Sequence, residues 1–397
     1  METTFLIILC VVGGVWLFQM AYHLLVTDRV RRAVTAERKS ADGESAPANG
    51  QWPSLSVIIS ACDVAPELER NLPLILEQDY EGKMEVIVVN DNSTDDTADV
   101  LERLKYRYPN LRTSFTGSTV RRISRRKLAL TLGIKAAKHD WLVFTDANCT
   151  PRDNHWLRSL ALAMTDDADA VVAYTSQRPV WGRRENQSKS GAMLRSYNNL
   201  RRHVLMLSAA IARHGYTAIG SNMAYRRQLF FDAKGYSRHL NLDRGDDNIF
   251  VHENVRPRRL RAVVDASSVM ERPTLVAKQW AIECCGHLVT RRYTRCPMQF
   301  LADADLVVRA FYIAATIGAA VLFAIDKEWI GLGIIVALWG VRYAVLWLTA
   351  RPVEKQFGEA HFSPWTPLLE TWELFNGIGM RLHRLFTPKS TFLRKQI

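Results

Sequence analysis

Three acidic clusters stand where apolar runs end or begin. They are Asn90-Asp91-Asn92-Ser93 after Met84–Val89, Asp146-Ala147-Asn148-Cys149 after Trp141–Thr145, and Gly245-Asp246-Asp247-Asn248 before Ile249-Phe250. In an open α/β sheet, carboxylates at the carboxyl ends of strands face the crevice where ligands bind. Asp146 and Asn148 flank one small residue just past a strand and offer two oxygen ligands to Mg²⁺ or Mn²⁺. Such an ion keeps several waters and bridges one or two carboxylates to a substrate diphosphate. The turn Gly220-Ser221-Asn222-Met223 lets backbone approach a ligand closely, and the later pair Asp246-Asp247 supplies a candidate general base. For Asp91 and the nearby Asp95 and Asp96 the structural alternative is helix capping, which suits Asp95 and Asp96 better than Asp91.

Positioning such groups requires strands that end together. Leu55–Ser60, Met84–Asn90, Trp141–Thr145 and Ala170–Thr175 have strand composition, and the helix-length segments Pro66–Gln78, Asp95–Tyr108 and Arg126–Lys138 lie among them. That alternation predicts βαβ units and a mostly parallel sheet. Ser93 or Thr94 is the expected cap of the second helix. A further long helix is expected over 186–212.

Outside this region the chain is membrane-like. Phe5 to Val26 is nearly all apolar and spans roughly 33 Å as a helix, enough to cross a hydrocarbon core. It is too long for a signal-peptide apolar region and lacks a basic start. Arg29, Arg31, Arg32, Arg38 and Lys39 follow it, which by the positive-inside rule places the next segment in the cytoplasm. Leu306–Ile325 and Trp329–Thr349 form a second apolar pair around Asp326-Lys327-Glu328. Within it, Arg309 is expected to snorkel and Arg342 to face another helix or an interface. Pro364 to Phe386 has the pattern of an amphipathic helix lying on the membrane. The stretch Ala41–Trp52 has linker composition. The expected layout is an anchor over 1–28, a basic juxtamembrane segment and linker over 29–52, an α/β domain over 53–300, a transmembrane hairpin over 301–350 and a basic amphipathic cytoplasmic tail over 351–397.

The net charge of +12 fits anionic lipid or a phosphorylated substrate, and no recognisable nucleic-acid-binding motif accompanies it. The six cysteines show no CxxC pair and read as reduced or buried thiols.

In order, these motifs resemble those of the family 2 glycosyltransferases, membrane-bound inverting enzymes of GT-A fold, over about Leu55 to Tyr293. The resemblance implies that Asp63 and Asp91 hold the nucleotide, with Lys127 near it, and that Asp146 and Asn148 bind the divalent cation. Asp247 becomes the general base with Asp246 beside it, and Asn222 and Arg292 contact acceptor or diphosphate. His287 is suited to touching acceptor or phosphate and at least as well to simple packing. The departures are Val64 where the family often has Glu, Asn148 in place of a second carboxylate, and Val289-Thr290-Arg291-Arg292-Tyr293 where a QxxRW-type motif would fall. The run Arg121, Arg122, Arg125, Arg126 and Lys127 is suited equally to gripping a diphosphate and to a solvated or lipid-facing surface.

The resulting expectation is an integral membrane enzyme with its catalytic domain on the cytoplasmic face of a bacterial inner membrane. It would pass a hexose-type sugar from a nucleotide-diphospho-sugar to a membrane-linked glycan or lipid in cell-surface polysaccharide or glycolipid synthesis. Two alternatives stand beside it: a non-catalytic scaffold of a glycan-assembly complex, and a processive polysaccharide synthase.

Overall fold

The computed structural model describes residues 2–40, 47, 50–117, 124–178, 188–359 and 362–386. Arg121 and Arg122 lie outside them. The strands are β1 Leu55–Ala61, β2 Met84–Asn90, β3 Leu111–Phe115, β4 Trp141–Asp146, β5 Thr150–Pro151, β6 Ala170–Val172, β7 Thr175–Arg178, β8 Met223–Arg226, β9 Leu260–Ala262 and β10 Met270–Pro273. Seven of them form one sheet in the order β3-β2-β1-β4-β8-β6-β9, and β5-β10-β7 form a second.

The runs SVIIS and EVIVV are apolar on both faces, which only a sheet covered on both sides accommodates. β1 to β4 are accordingly parallel, and β1, β2 and β4 are covered on each side. Ile58, Ile87, Val89, Leu142 and Phe144 point into one core, and Val57, Ile59, Val86, Val88 and Val143 into the other. β1 pairs with β2 from Leu55↔Met84 to Ala61↔Asn90 and with β4 from Leu55↔Trp141 to Ser60↔Asp146. This register brings the ends of all three strands level. β8 enters antiparallel between β4 and β6.

The helices are α1 Glu2–Tyr22, α2 Asp28–Ser40, α3 Ala65–Leu76, α4 Thr97–Arg107, α5 Arg125–Ala136, α6 Trp156–Ala161, α7 Lys189–Ile211, α8 Arg227–Asp232, α9 Asn248–Asn254, α10 Ala277–Thr290, α11 Pro297–Ile325, α12 Trp329–Phe357 and α13 Thr366–Phe386. α3 shows the expected stripe, with Leu68, Leu72, Ile75 and Leu76 buried at helical spacing.

Three expectations change. The single strand over Ala170–Thr175 is two strands in different sheets, because the chain crosses between them at Ala173 and Tyr174. Neither Ser93 nor Thr94 caps α4. The helix starts at Thr97, whose N–H donates to Asp95 Oδ1 at 3.1 Å, while Thr94 turns to Asp63. Arg309 does not snorkel: it is 2 % exposed and pairs with Glu373 at 3.0 Å and Glu370 at 3.5 Å, both on α13.

Among the described residues, three helices are long and apolar enough to cross a membrane: Phe5–Lys39, which includes α2, then α11 and α12. The first passes through a π-helical turn at His23–Thr27. Val30 and Val34 of α2, with Val353 and Phe357 of α12, join the core on one face of the main sheet. The ends of these helices are therefore packed into the α/β region. Arg342 meets Gln19 of α1 at 2.8 Å and Glu370 of α13 at 2.8 Å. α13 buries Thr366, Leu369 and Glu370 while exposing Leu368, Trp372, Phe375, Ile378 and Leu382.

Candidate active site

The strand order changes direction between β1 and β4, and a cleft of about 400 Å³ opens where their carboxyl ends diverge. Ser60 and Cys62 after β1, Asp91 after β2, Asp146 and Asn148 after β4, and the Gly220-Ser221 turn before β8 line it. The loop Asp243–Asn248 closes the far side. Among the described residues, six carboxylates and three arginines stand in this lining: Asp91, Asp146, Asp243, Asp246, Asp247 and Glu283, against Arg126, Arg244 and Arg272.

Arg126 lies at the centre. As the second residue of α5, it donates from Nη2 to Asp146 Oδ1 at 2.8 Å and from Nε to Asp246 Oδ2 at 3.0 Å. One guanidinium thus joins the β4 end to the acidic loop with the fork geometry that suits carboxylates.

The two neighbouring aspartates titrate in opposite directions. Burial pushes Asp246 up, but Arg126 and then Lys127 outweigh it and hold the carboxyl below its ordinary value. Asp247 is raised, by burial first and by the Asp246 charge second. Carboxylates driven apart in this way divide the work, one staying a fixed anion and the other becoming the better base. Asp247 is held by backbone: Gly220 N–H donates to Oδ2 at 3.0 Å and Asn248 N–H to Oδ1 at 2.6 Å. It therefore caps α9 and faces the cleft as well. Gly245 permits this loop, since its φ of 104° is one that L side chains rarely adopt, and a Cβ there would stand 2.6 Å from Ile249 Cδ1.

A divalent cation fits Asp146 and Asn148 by chemistry. Asp146 takes the Arg126 hydrogen bond on Oδ1, leaving Oδ2 as a hard oxygen donor, and the Asn148 amide oxygen has the Cys149 thiol at 3.7 Å. No group of three or more His, Cys, Asp or Glu side chains able to hold a metal occurs among the described residues. An ion here would complete its shell with water or substrate oxygens, as Mg²⁺ and Mn²⁺ do.

The other candidates separate into those in the cleft and those outside it. Asp91 lines it, accepting from Thr116 Oγ1 at 2.7 Å and Arg125 Nε at 3.3 Å. Asp63 stands at its rim with φ 51°, and its Oδ1 accepts from Thr94 N–H at 2.7 Å. His287 lines the cleft with Nε2 3.8 Å from Glu283; burial, then Arg202, push the imidazole down to about 4, so it is neutral.

Lys127 is not in the cleft. Its ammonium donates to the carbonyls of His239, Leu242 and Arg244 at 2.7, 3.0 and 2.9 Å, which pins the acidic loop from behind. Burial lowers it to about 8. Asn222 is also buried behind the cleft, where Nδ2 donates to the carbonyls of Tyr174 and Ser268 and Oδ1 accepts from Trp156 Nε1. Arg292 is exposed and does not line the cleft. Arg272 and Glu283, which pair at 3.1 Å in the cleft wall, were not visible in the sequence because they lie in isolated, motif-free positions.

Residues 56–231 match the family model for glycosyl transferase family 2. No curated protein matches the chain. Among solved structures, it resembles the mannosyltransferase PcManGT from Pyrobaculum calidifontis, determined in complex with GDP-Man and Mn²⁺. Identity is 19 %, with 83 % of this chain and 98 % of that one covered at a TM-score of 0.52. It also matches S. aureus TarS 1–349 in complex with UDP-GlcNAc at 15 % identity, covering 81 % of this chain and 89 % of that one, with a TM-score of 0.39.

Proposed function

The chain is a family 2 glycosyltransferase of GT-A fold carrying that domain at residues 56–231, and from this premise we propose that it passes a sugar, with inversion, from a nucleotide-diphospho-sugar to a membrane-linked glycan or lipid. The observation that carries the reading is the cleft itself: an excess of carboxylates at a topological switch point, with one arginine tying the β4 end to a pair of aspartates of opposed titration. A cleft with surplus negative charge repels a bare diphosphate and accepts one that arrives with a divalent cation. Asp146 and Asn148 would hold Mg²⁺ or Mn²⁺, which when bound offsets the charge on the departing diphosphate.

The chain's own residues then divide as follows. Asp91, with Asp63 at the rim, receives the nucleoside. Arg126 fixes Asp146 and Asp246 relative to each other and offers positive charge beside the diphosphate. Asp247 takes the proton of the acceptor hydroxyl as its oxygen bonds to the anomeric carbon. The bond from that carbon to the phosphate oxygen breaks, and the diphosphate leaves with the electron pair. Attack opposite the leaving group inverts the centre.

The three apolar helices support anchoring at a bilayer, and the basic residues after Phe5–Val26 favour a cytoplasmic domain; on this reading the enzyme works at the cytoplasmic face of a bacterial inner membrane, in cell-surface polysaccharide or glycolipid synthesis. A panel of nucleotide sugars offered to the purified full-length protein with Mg²⁺ or Mn²⁺ tests the reaction. Metal-dependent release of nucleoside diphosphate from one of them is expected, and no turnover of any would favour the scaffold alternative. Labelling a cysteine placed in 41–50 from outside intact cells would overturn the orientation.

A further inference from the structure

A second cavity, of about 410 Å³, lies where the three apolar helices meet the α/β region. It shares Ile219, Asn248 and His287 with the catalytic cleft, so the two spaces adjoin beside Asp247. Its walls come from α1, α7, α10, α11, α12 and α13. Their apolar side chains, among them Leu306, Leu346 and Met380, are interrupted by polar side chains that each keep one atom without a partner. His23 Nε2, Arg309 Nε and Asn376 Nδ2 are buried, line the cavity and make no hydrogen bond in the structure. His23 and Arg309 are 4 % and 2 % exposed. His23 also begins the π-helical turn of α1, a distortion that recurs at functional sites. An orphaned buried donor costs stability unless something else satisfies it.

Among the described residues, the charges lining this cavity balance. Five arginines stand against five acids, and Arg201, Asp305, Arg309, Glu370 and Glu373 are cross-linked at 2.8 to 4.0 Å. A space of this kind has no net field to attract an anion, and it offers hydrogen-bonding groups within apolar walls. That combination matches an uncharged, hydroxyl-bearing head on an apolar tail. The neighbouring base points the same way. A phosphate oxygen is already an anion and needs no proton removed, whereas a hydroxyl does, and Asp247 beside the shared wall is raised toward that task.

We propose that this cavity is the acceptor site and that it binds the uncharged hydroxylated head of a membrane amphiphile, whose tail leaves between α11 and α13 into the bilayer. The inference rests on the glycosyltransferase reading above. Gly377 of α13 faces the cavity, where an added Cβ would meet nothing nearer than Arg381 Nη1 at 3.8 Å. Two positions along, Gly379 is exposed, lines no part of the cavity and has open space around it.

The test uses the full-length protein in phosphatidylcholine nanodiscs and a dodecyl glucoside carrying a photoreactive diazirine in its chain. Cross-links are expected on the cavity-facing residues of α11 and α13. Gly377→Trp should cut them at least about tenfold while Gly379→Trp leaves them, and Gly377→Leu should give an intermediate loss. Calorimetric binding of GDP or UDP reports that the variants are folded. Unlabelled dodecyl glucoside should compete and dodecyl phosphate should not. The proposal is overturned by cross-links confined to the exposed apolar face of α13, by equal labelling in Gly377→Trp, or by competition from the phosphate alone. Failure of the parent to turn over any nucleotide sugar would instead remove the glycosyltransferase reading and leave the labelling result standing.

Discussion

Two regions of this molecule use the same chemistry, arginine set between carboxylates, to opposite ends. In the cleft, Arg126 faces Asp146 and Asp246 with Asp247 close by, and among the described lining residues carboxylates outnumber arginines. At the helix junction, Arg201, Arg309 and Arg342 meet Asp305, Glu370 and Glu373, three against three, with Arg309, Arg342, Asp305 and Glu370 almost fully buried. The balanced cluster neutralises its own charge and ties α7, α11, α12 and α13 together. The unbalanced one is open, and its surplus charge must be completed by something that arrives. Charge balance, more than residue type, separates a structural network from a reactive one.

The sharpest break would come at Asp247. Asp247→Asn keeps its size and removes its basicity, so transfer should fall by roughly 10²–10⁴-fold while calorimetric donor binding stays nearly intact. Joint loss of donor binding and thermal stability would instead assign Asp247 to capping α9 and Gly220 alone. Transfer at the parental rate would remove the base assignment.

At the junction the expected effect is on stability. Arg309→Leu leaves Glu370 and Glu373 short of a buried counter-charge, and losses of about 3–5 kcal/mol are typical of such broken pairs. The double change Arg309→Met with Glu373→Met should recover most of that loss. Thermal unfolding of detergent-solubilised protein distinguishes the cases, and an unaffected single variant would show that the network is not holding the helices.

Adding charge to the cleft should sharpen the contrast. Asn148→Asp is expected to lower the Mn²⁺ concentration for half-saturation by about tenfold, since affinity follows the charge of the ligand set. Electron paramagnetic resonance of free Mn²⁺ reads this without any turnover. An unchanged or weaker binding curve would exclude Asn148 as a ligand.

The smallest effect is a shift in pH dependence. Transfer needs Asp247 ionised, so its rate should rise with pH through a value raised above that of an ordinary aspartate. Asp246→Asn removes the like charge that helps keep Asp247 raised, and the acidic limb should then move to lower pH. Movement to higher pH would mean that Asp246 acts on Asp247 chiefly through Arg126.

The sequence by itself determined the strands that carry the cleft, since SVIIS, EVIVV and WLVFT have a composition only a doubly covered parallel sheet accommodates. It also determined the acids at their ends and the three helices long enough to cross a membrane, because local composition and spacing record such features. Strand β3 and the small strands β9 and β10 were not legible, as LRTSF, LRA and MERP are short and half polar and become strands only by pairing with neighbours already in place. Tertiary structure alone decided which basic residue entered the cleft. Arg126 and Lys127 are adjacent in one basic run, yet a rotation of about 100° per helical residue turns the first toward Asp146 and buries the second under the acidic loop. It likewise decided that Glu370 and Glu373, which read as the polar face of an amphipathic tail, are the counter-charges of arginines more than sixty residues away on one helix and nearly thirty on another, and on α7 far earlier in the chain. A pair of charges separated by that much sequence leaves no local signal, because its cost and its compensation exist only once the helices are packed.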